Sequence, residues 1–255
     1  MRILLTNDDG VDAPGLHALR QIAARLSDDI TVVAPETNQS GKGHSLSLHE
    51  PLRMREIGDK AYAVRGTPTD CVIMAVRHIM AEALPDLILS GVNRGANMAE
   101  DMTYSGTIAG AFEGTLVGIR SIALSQAFGF EEKSPRWETA IEHAPAVIEK
   151  LLQLEWRSGC LMNVNFPDRA PNNIEGLRVT RQGRRDPGLL SIDARRDTWG
   201  EHYYWLAYER RRSNAAAGTD LEAVYNGFIS VTPLAMNMTA DVMLADVAAK
   251  FDSGK

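Results

Sequence analysis

The chain opens with a short apolar run, Ile3-Leu4-Leu5, that stops at Thr6-Asn7 and two adjacent aspartates, Asp8 and Asp9. From Pro14 to Leu26 the residues Leu16, Leu19, Ile22, Ala23 and Leu26 recur at helical spacing, and Ile30 to Ala34 (ITVVA) follows as a β-branched run. Strand, helix, strand in this order predicts parallel strands joined by a right-handed crossover. The opening therefore commits the chain to the α/β class, with helices covering a mainly parallel sheet. It also sets the aspartate pair just beyond the carboxyl end of a strand, where open sheets of this kind form their ligand crevice.

Later segments fit the same plan. Leu87-Ile88-Leu89, Ile119 to Leu124 and Leu161 to Asn165 read as buried strands that end in polar or glycine-rich residues. Helices are expected from Thr67-Pro68 through Val72, Ile73, Val76 and Ile79, from Thr107 to Leu116, and from Trp137 to Leu154 with a bend at Pro145. Residues 45–65 alternate as Leu46, Leu48, Leu52, Met54, then Tyr62 and Val64, with Gly58-Asp59 as a turn signal, and are read as a β-hairpin insertion. After Pro167 come strand-like pieces, Leu177 to Thr180, His202 to Tyr208 and Phe228 to Val231, among charged stretches holding Arg181, Arg184, Arg185, Arg195, Arg196, Arg210, Arg211 and Arg212. Long strands with little helical cover need partners for their edges, so this region is read as an arm that packs on a neighbouring subunit, its arginines serving as ion-pair partners within the arm. An ordinary β-extension of the same domain is the competing reading.

With 255 residues the chain can bury a sizeable core, and 44% hydrophobic with 24% charged residues places it among globular proteins. A net charge of -6 argues against wrapping nucleic acid or lying on an anionic membrane, though a bound divalent cation would let the site take an anionic substrate. Cys71 and Cys160 are too few and too far apart for a zinc cage or a disulfide framework and are read as reduced core residues. No signal-peptide core or transmembrane span is apparent, so a cytoplasmic address is expected.

Adjacent carboxylates at a ligand edge repel each other, and a hard cation such as Mg²⁺ or Mn²⁺ relieves the repulsion. One aspartate capping a turn and the other in solvent is the plainer alternative. Two more loops are expected at the same edge: Glu36 to His44, which offers the Ser40 hydroxyl, and Ser90 to Asn97, which offers the Asn93 amide oxygen. Tyr104-Ser105-Gly106-Thr107 precedes a helix of small residues, and its N-terminus would seat an anion, unless Ser105 is merely a cap. His44 stands beside this site, either as a proton donor to a leaving group or as an exposed loop histidine. No G-x-G-x-x-G follows the first strand, and Leu16-His17 stands where a nucleotide-triphosphate loop with the Gly10/Gly15 spacing requires Lys and Ser/Thr. Asn7 also occupies the place of the nucleophile in a D-x-D phosphatase.

The chain resembles the SurE family of stationary-phase survival proteins, which act as 5′/3′-nucleotidases. The likeness is carried by Leu4 to Gly10 (LLTNDDG), Val33-Ala34-Pro35 with Gln39-Ser40-Gly41, Arg65 to Cys71 (RGTPTDC), Ser90 to Asn97 (SGVNRGAN) and Tyr104 to Thr107 (YSGT), and more weakly by Asn163 to Pro167. The resemblance implies a Rossmann-like three-layer core, here placed at residues 1–176, and a C-terminal extension, residues 177–255, exchanged between subunits of a homodimer that can pair into a homotetramer. It implies one divalent metal, Mg²⁺ or Mn²⁺, on Asp8, Asp9, Ser40 and Asn93, with Asn97, Ser105, Gly106 and Thr107 around the substrate phosphate. The expected activity is hydrolysis of nucleoside 5′- and 3′-monophosphates by metal-activated water oriented by Asp8. A regulator that binds nucleotides without turning them over would share the site and lack the chemistry.

Overall fold

The computed structural model describes residues 1–129, 134–186, 190–208 and 212–252. Arg210 and Arg211 lie outside the described residues. The chain runs β1 (Ile3–Thr6), α1 (Pro14–Ala24), β2 (Ile30–Pro35), β3 (Arg53–Gly58), β4 (Ala61–Arg65) and α2 (Pro68–Met74), which continues as a π turn over Ala75–Ile79. Then follow β5 (Leu87–Arg94), a 3₁₀ turn at Ala99–Thr103, α3 (Gly106–Leu116), β6 (Arg120–Gln126), α4 (Trp137–Leu152) and β7 (Cys160–Phe166). The last part holds β8 (Gly176–Val179), β9 (Leu190–Arg196), β10 (His202–Tyr208), α5 (Asp220–Tyr225), β11 (Phe228–Ala235) and α6 (Asp241–Asp252).

Nine strands form one twisted sheet in the order β3-β4-β2-β1-β5-β6-β7-β11-β8. β1 pairs in parallel with β2 on one side and β5 on the other, so the strand order reverses beside β1, and this is the switch point at which open α/β sheets bind ligands. Successive residues of a buried strand face opposite layers. Ile3 and Leu5 of β1 accordingly join the core beneath α1 and α4, while Leu4 joins the core beneath α2. α1 begins with Pro14 in its first turn, as the sequence predicts. Gly15 lets this helix touch the sheet, because a Cβ there would lie 1.9 Å from the Val92 carbonyl oxygen. The Gly10/Gly15 spacing thus serves a turn and a close helix contact. α2 carries a full capping box, with Thr67 accepting from the Asp70 N–H and Asp70 accepting from the Thr67 N–H.

The structure departs from the sequence reading in several places. The hairpin is β3–β4 only, and it forms an edge of the main sheet through the parallel pairing of β4 with β2. Leu46 and Leu48 lie outside it and are exposed, at 49% and 77%. Their alternation was produced by a polar loop, and no buried face stands behind it. β5 runs on through Arg94, so residues 90–94 are strand and only the stretch beyond is loop, with a register shift against β6 between Ser90 and Asn93. α4, expected to reach Leu154, ends at Leu152. Cys71 is buried, whereas Cys160 is half-buried.

After Pro167 the chain divides. β11 pairs antiparallel with β7 and parallel with β8, so these two strands continue the nine-stranded sheet. β9 and β10 form a separate two-stranded ribbon. The arginines are not confined to pairs within that ribbon. Arg195 does bind Asp193, but Arg185 reaches Asp101 on the 3₁₀ turn before α3, at 2.8 Å from Nε to Oδ2.

Asp220 makes the second tie between the C-terminal segment and that turn. Fully buried, it accepts the N–H groups of Ala99 (2.9 Å), Gly183 (2.8 Å) and Leu221 (2.7 Å). Burial raises its pKa while those three donors oppose the rise. Asp220→Ala leaves buried donors unpaired and is expected to cost about 2–4 kcal/mol, lowering the melting temperature by roughly 5–10 °C in calorimetry. An unchanged melting temperature would show that the segment is not held by this carboxylate.

Candidate active site

Asp8 is the centre of the site. It follows β1 directly, is only 4% exposed, and accepts the Thr107 hydroxyl on Oδ1 at 2.6 Å. Thr107 stands in the first turn of α3, and the turn is pressed against the aspartate, for a Cβ on Gly106 would come within 2.6 Å of the Asp8 Cβ. Glycine is required there by space alone. Burial pushes the Asp8 carboxyl up to about 6, with the Thr107 hydroxyl opposing the rise and the neighbouring Asp9 charge adding to it. Asp9 is half-buried and is also raised by burial, though the Arg94 main-chain N–H donates to its Oδ2 at 3.0 Å and the Arg94 charge helps to hold it down.

The expected loops gather around this pair. The Gln39 N–H donates to the Asp8 carbonyl at 2.7 Å, and the Gly43 N–H donates to the Tyr104 carbonyl at 3.2 Å, so the loop after β2 spans from the aspartates to the start of α3. Ser40, exposed on that loop, gives its N–H to the Asn38 side chain at 2.8 Å. At the end of β5, Asn93 donates its amide N–H to the Gly95 carbonyl at 2.9 Å, which turns the amide so that its oxygen remains available as a ligand. Asn7 is fixed by a 2.8 Å bond from its amide to the Gly10 carbonyl, and its buried Oδ1 has no partner among the described residues.

Ser105 caps α3, its hydroxyl oxygen accepting the Ile108 N–H at 3.0 Å. The cap leaves the N–H groups at the helix start unpaired within the helix and the hydroxyl proton free to donate. Asn97 is held differently. Its amide donates to the Ser125 hydroxyl at 2.9 Å, its N–H to Asn165, and its carbonyl accepts from Asn163 and Asn165, a buried network that joins the loop after β5 to β6 and β7. His44 is exposed on the loop after β2 and bonds through Nε2 to Glu113 of α3 at 3.0 Å.

The donor set fits a hard divalent cation. Two carboxylates, one of them buried and each costly to ionise, stand with neutral oxygens on the loop after β2 and at the end of β5, and a small oxygen-seeking ion is what such a set accommodates. Among the described residues no group of three or more His, Cys, Asp and Glu is placed to hold a metal, which disfavours a zinc-type site.

The structure brings the aspartates and the start of α3 together, as sequence reasoning expects, by contacts that sequence reasoning missed. Thr107 serves Asp8 directly, and the main chains of Gln39 and Arg94 anchor the two aspartates. The clamp from Asp220 and Arg185 onto the turn before α3 also escaped notice. Thr219-x-x-Glu222 signals a helix start near Asp220, and Thr219 does accept the Glu222 N–H, but nothing in that pattern announces a contact across 121 residues.

Comparison with known proteins places the chain in a family. The sequence model described as survival protein SurE matches residues 3–188. A 5′-nucleotidase SurE of Azorhizobium caulinodans is 57% identical over 254 residues, 99% of this chain and 100% of the relative. One of Methylorubrum extorquens is 56% identical, covering 98% and 99%. The crystal structure of the SurE protein from Aquifex aeolicus superposes with a TM-score of 0.85 at 41% identity, covering 99% of this chain and 100% of that one. On this evidence the chain belongs to the survival protein SurE family.

Proposed function

We propose that the protein is a divalent-metal-dependent phosphatase that hydrolyses nucleoside 5′- and 3′-monophosphates to nucleoside and phosphate. The observation that carries the reading is the contact of the buried Asp8 with the first turn of α3, which sets a cation-seeking carboxylate beside an anion-seeking helix end. The names of the relatives, 5′-nucleotidase SurE, support the 5′ activity.

Asp8, Asp9, Ser40 and Asn93 would hold one Mg²⁺ or Mn²⁺. When bound, the ion supplies Lewis-acid neutralisation of phosphate charge and a water of lowered pKa. Thr107 fixes the rotation of the Asp8 carboxylate through Oδ1 and leaves Oδ2 to orient the attacking water. The Ser105 hydroxyl, Gly106, Thr107 and the start of α3 receive the non-bridging phosphate oxygens, each hydrogen bond to a charged group contributing roughly 1.5–3 kcal/mol. Asn97, expected beside the phosphate, also holds the loop that joins β5 to α3, its side-chain N–H donating to β6 and its main-chain carbonyl accepting from β7.

The protein is further proposed to act as a homodimer, which can pair into a homotetramer. The β9–β10 ribbon exposes Ile192 (61%), Tyr204 (63%), Trp205 (59%) and Leu206 (76%), and α6 exposes Val242 (87%) and Phe251 (82%), large apolar side chains of the kind that a subunit interface buries. A cytoplasmic address completes the reading, supported by two unpaired cysteines. No helix among the described residues is long and apolar enough to cross a membrane.

Phosphate release from a panel of 5′- and 3′-nucleoside monophosphates with Mg²⁺, Mn²⁺ or EDTA tests the activity. Turnover should require metal, and Asp8→Asn should lower kcat by about 10²–10⁴; tight nucleotide binding without release under any metal would make the protein a receptor. Stability gives an independent readout. Because the folded-state pKa of Asp8 lies above its ordinary value of 3.8, at about 6, the folded protein binds this proton more tightly than the unfolded chain. The metal-free protein should therefore lose stability as pH rises from about 4 to above 6, by up to about 3 kcal/mol from this group. Asp8→Asn should accordingly be the more heat-stable form at pH 7.5 without metal, and it should lose the rise in melting temperature that Mn²⁺ gives the wild type. For the assembly, sedimentation should show a dimer or larger, and Leu206→Glu with Val242→Glu should shift it toward monomer; a monomeric wild type would remove the ribbon and α6 from this role.

A further inference from the structure

Beside the start of α3 lies a cavity of about 1020 Å³ that the hydrolysis chemistry does not use. One wall is a single face of α3, marked by Ser105, Ala109, Phe112 and Leu116 at intervals of four, three and four residues. The cavity therefore begins at the residue that caps the proposed phosphate seat and runs down the flank of the helix for about 16 Å at 1.5 Å per residue. The opposite wall is formed by the ends of β8 and β11.

Two aromatic rings stand at its rim. His44 stacks on Phe112 with ring centroids 6.0 Å apart and planes inclined by 26°. Glu113 holds the imidazole through the 3.0 Å bond to Nε2. Phe112 is seven residues beyond the cap, and a helical side chain leans toward the N-terminus, so its ring covers the turn preceding its own Cα. The ring thus sits within about 10 Å of the phosphate seat along the helix. A ribose spans a gap of this size between a phosphate and a flat heterocycle. His44 also sits on the loop that carries Ser40, so the rim is tied to the proposed metal ligands through the chain.

We propose that this cavity binds the nucleoside part of the substrate, with Phe112 and His44 as the platform for the base and Glu113 as the residue that positions His44. The assignment rests on the phosphatase reading for the location of the phosphate. It makes the enzyme selective for phosphomonoesters that carry a flat aromatic base. Stacking tolerates any base, so the platform separates nucleotides from sugar phosphates more strongly than one base from another.

The test compares AMP with ribose 5-phosphate, which keeps the sugar and phosphate and lacks the base, on the wild type, Phe112→Leu and His44→Asn. The ratio of kcat/KM for AMP to that for ribose 5-phosphate should fall about tenfold in each variant, chiefly through KM for AMP. His44 lies on an exposed loop, so its variant reads the platform even where a change at Phe112 disturbs packing. An unchanged ratio in both variants, or an equal loss on both substrates, would overturn the proposal. Calorimetric titration of AMP separates the two readings. A wild type that binds AMP without releasing phosphate, and loses that affinity in the variants, would retain the platform and remove the phosphatase.

Discussion

The burial of Asp8 beneath the first turn of α3 is the constraint on which the rest of the structure depends. The carboxylate stands at the reversal of strand order, where β1 lies between β2 and β5, and α3 can approach it only because Gly106 has no side chain. Its ionised form is expensive in that position, and the Thr107 hydroxyl recovers only part of the cost. A costly carboxylate of this kind, with a second aspartate alongside, is the feature on which the proposed cation site rests.

The C-terminal segment serves the same point from a distance. Asp220 and Arg185 fasten the turn at Ala99–Thr103, which leads into Ser105, while Asn163 and Asn165 on β7 hold Asn97 on the preceding loop. The start of α3 is thus fixed from β5, from β7 and from the chain beyond β8. Rigid support of this kind suits a site that aims preformed donors at a charged group, since reorganisation at the moment of reaction is avoided.

Much of this was legible from residue order alone. Ile3-Leu4-Leu5 followed by an amphipathic helix and a β-branched run is a local signal, and it led to the parallel pairing of β1 with β2 and to the edge where Asp8 lies. Pro68 marked the start of α2 and Ser105 that of α3 for the same reason, because both signals act within the first turn. What escaped was long-range or carried by the main chain. Nothing local distinguishes the alternation of Leu46 and Leu48, which is solvent-exposed, from that of Tyr62 and Val64, which lies in the sheet. Nor could the sequence divide the strands after Pro167 into β8 and β11, which join the main sheet, and β9 and β10, which leave it. The grip of Gln39 and Arg94 on the aspartates is made by backbone N–H groups, which leave no trace in residue identity.

The most direct test of the account is a crystal structure of the protein with Mn²⁺ and a phosphate analogue such as vanadate, the metal located by its anomalous scattering. The account requires manganese on Asp8, Asp9, Ser40 and Asn93, with the analogue's oxygens on the Ser105 hydroxyl and the first N–H groups of α3. Manganese bound elsewhere, or an analogue that leaves the start of α3 empty, would contradict it.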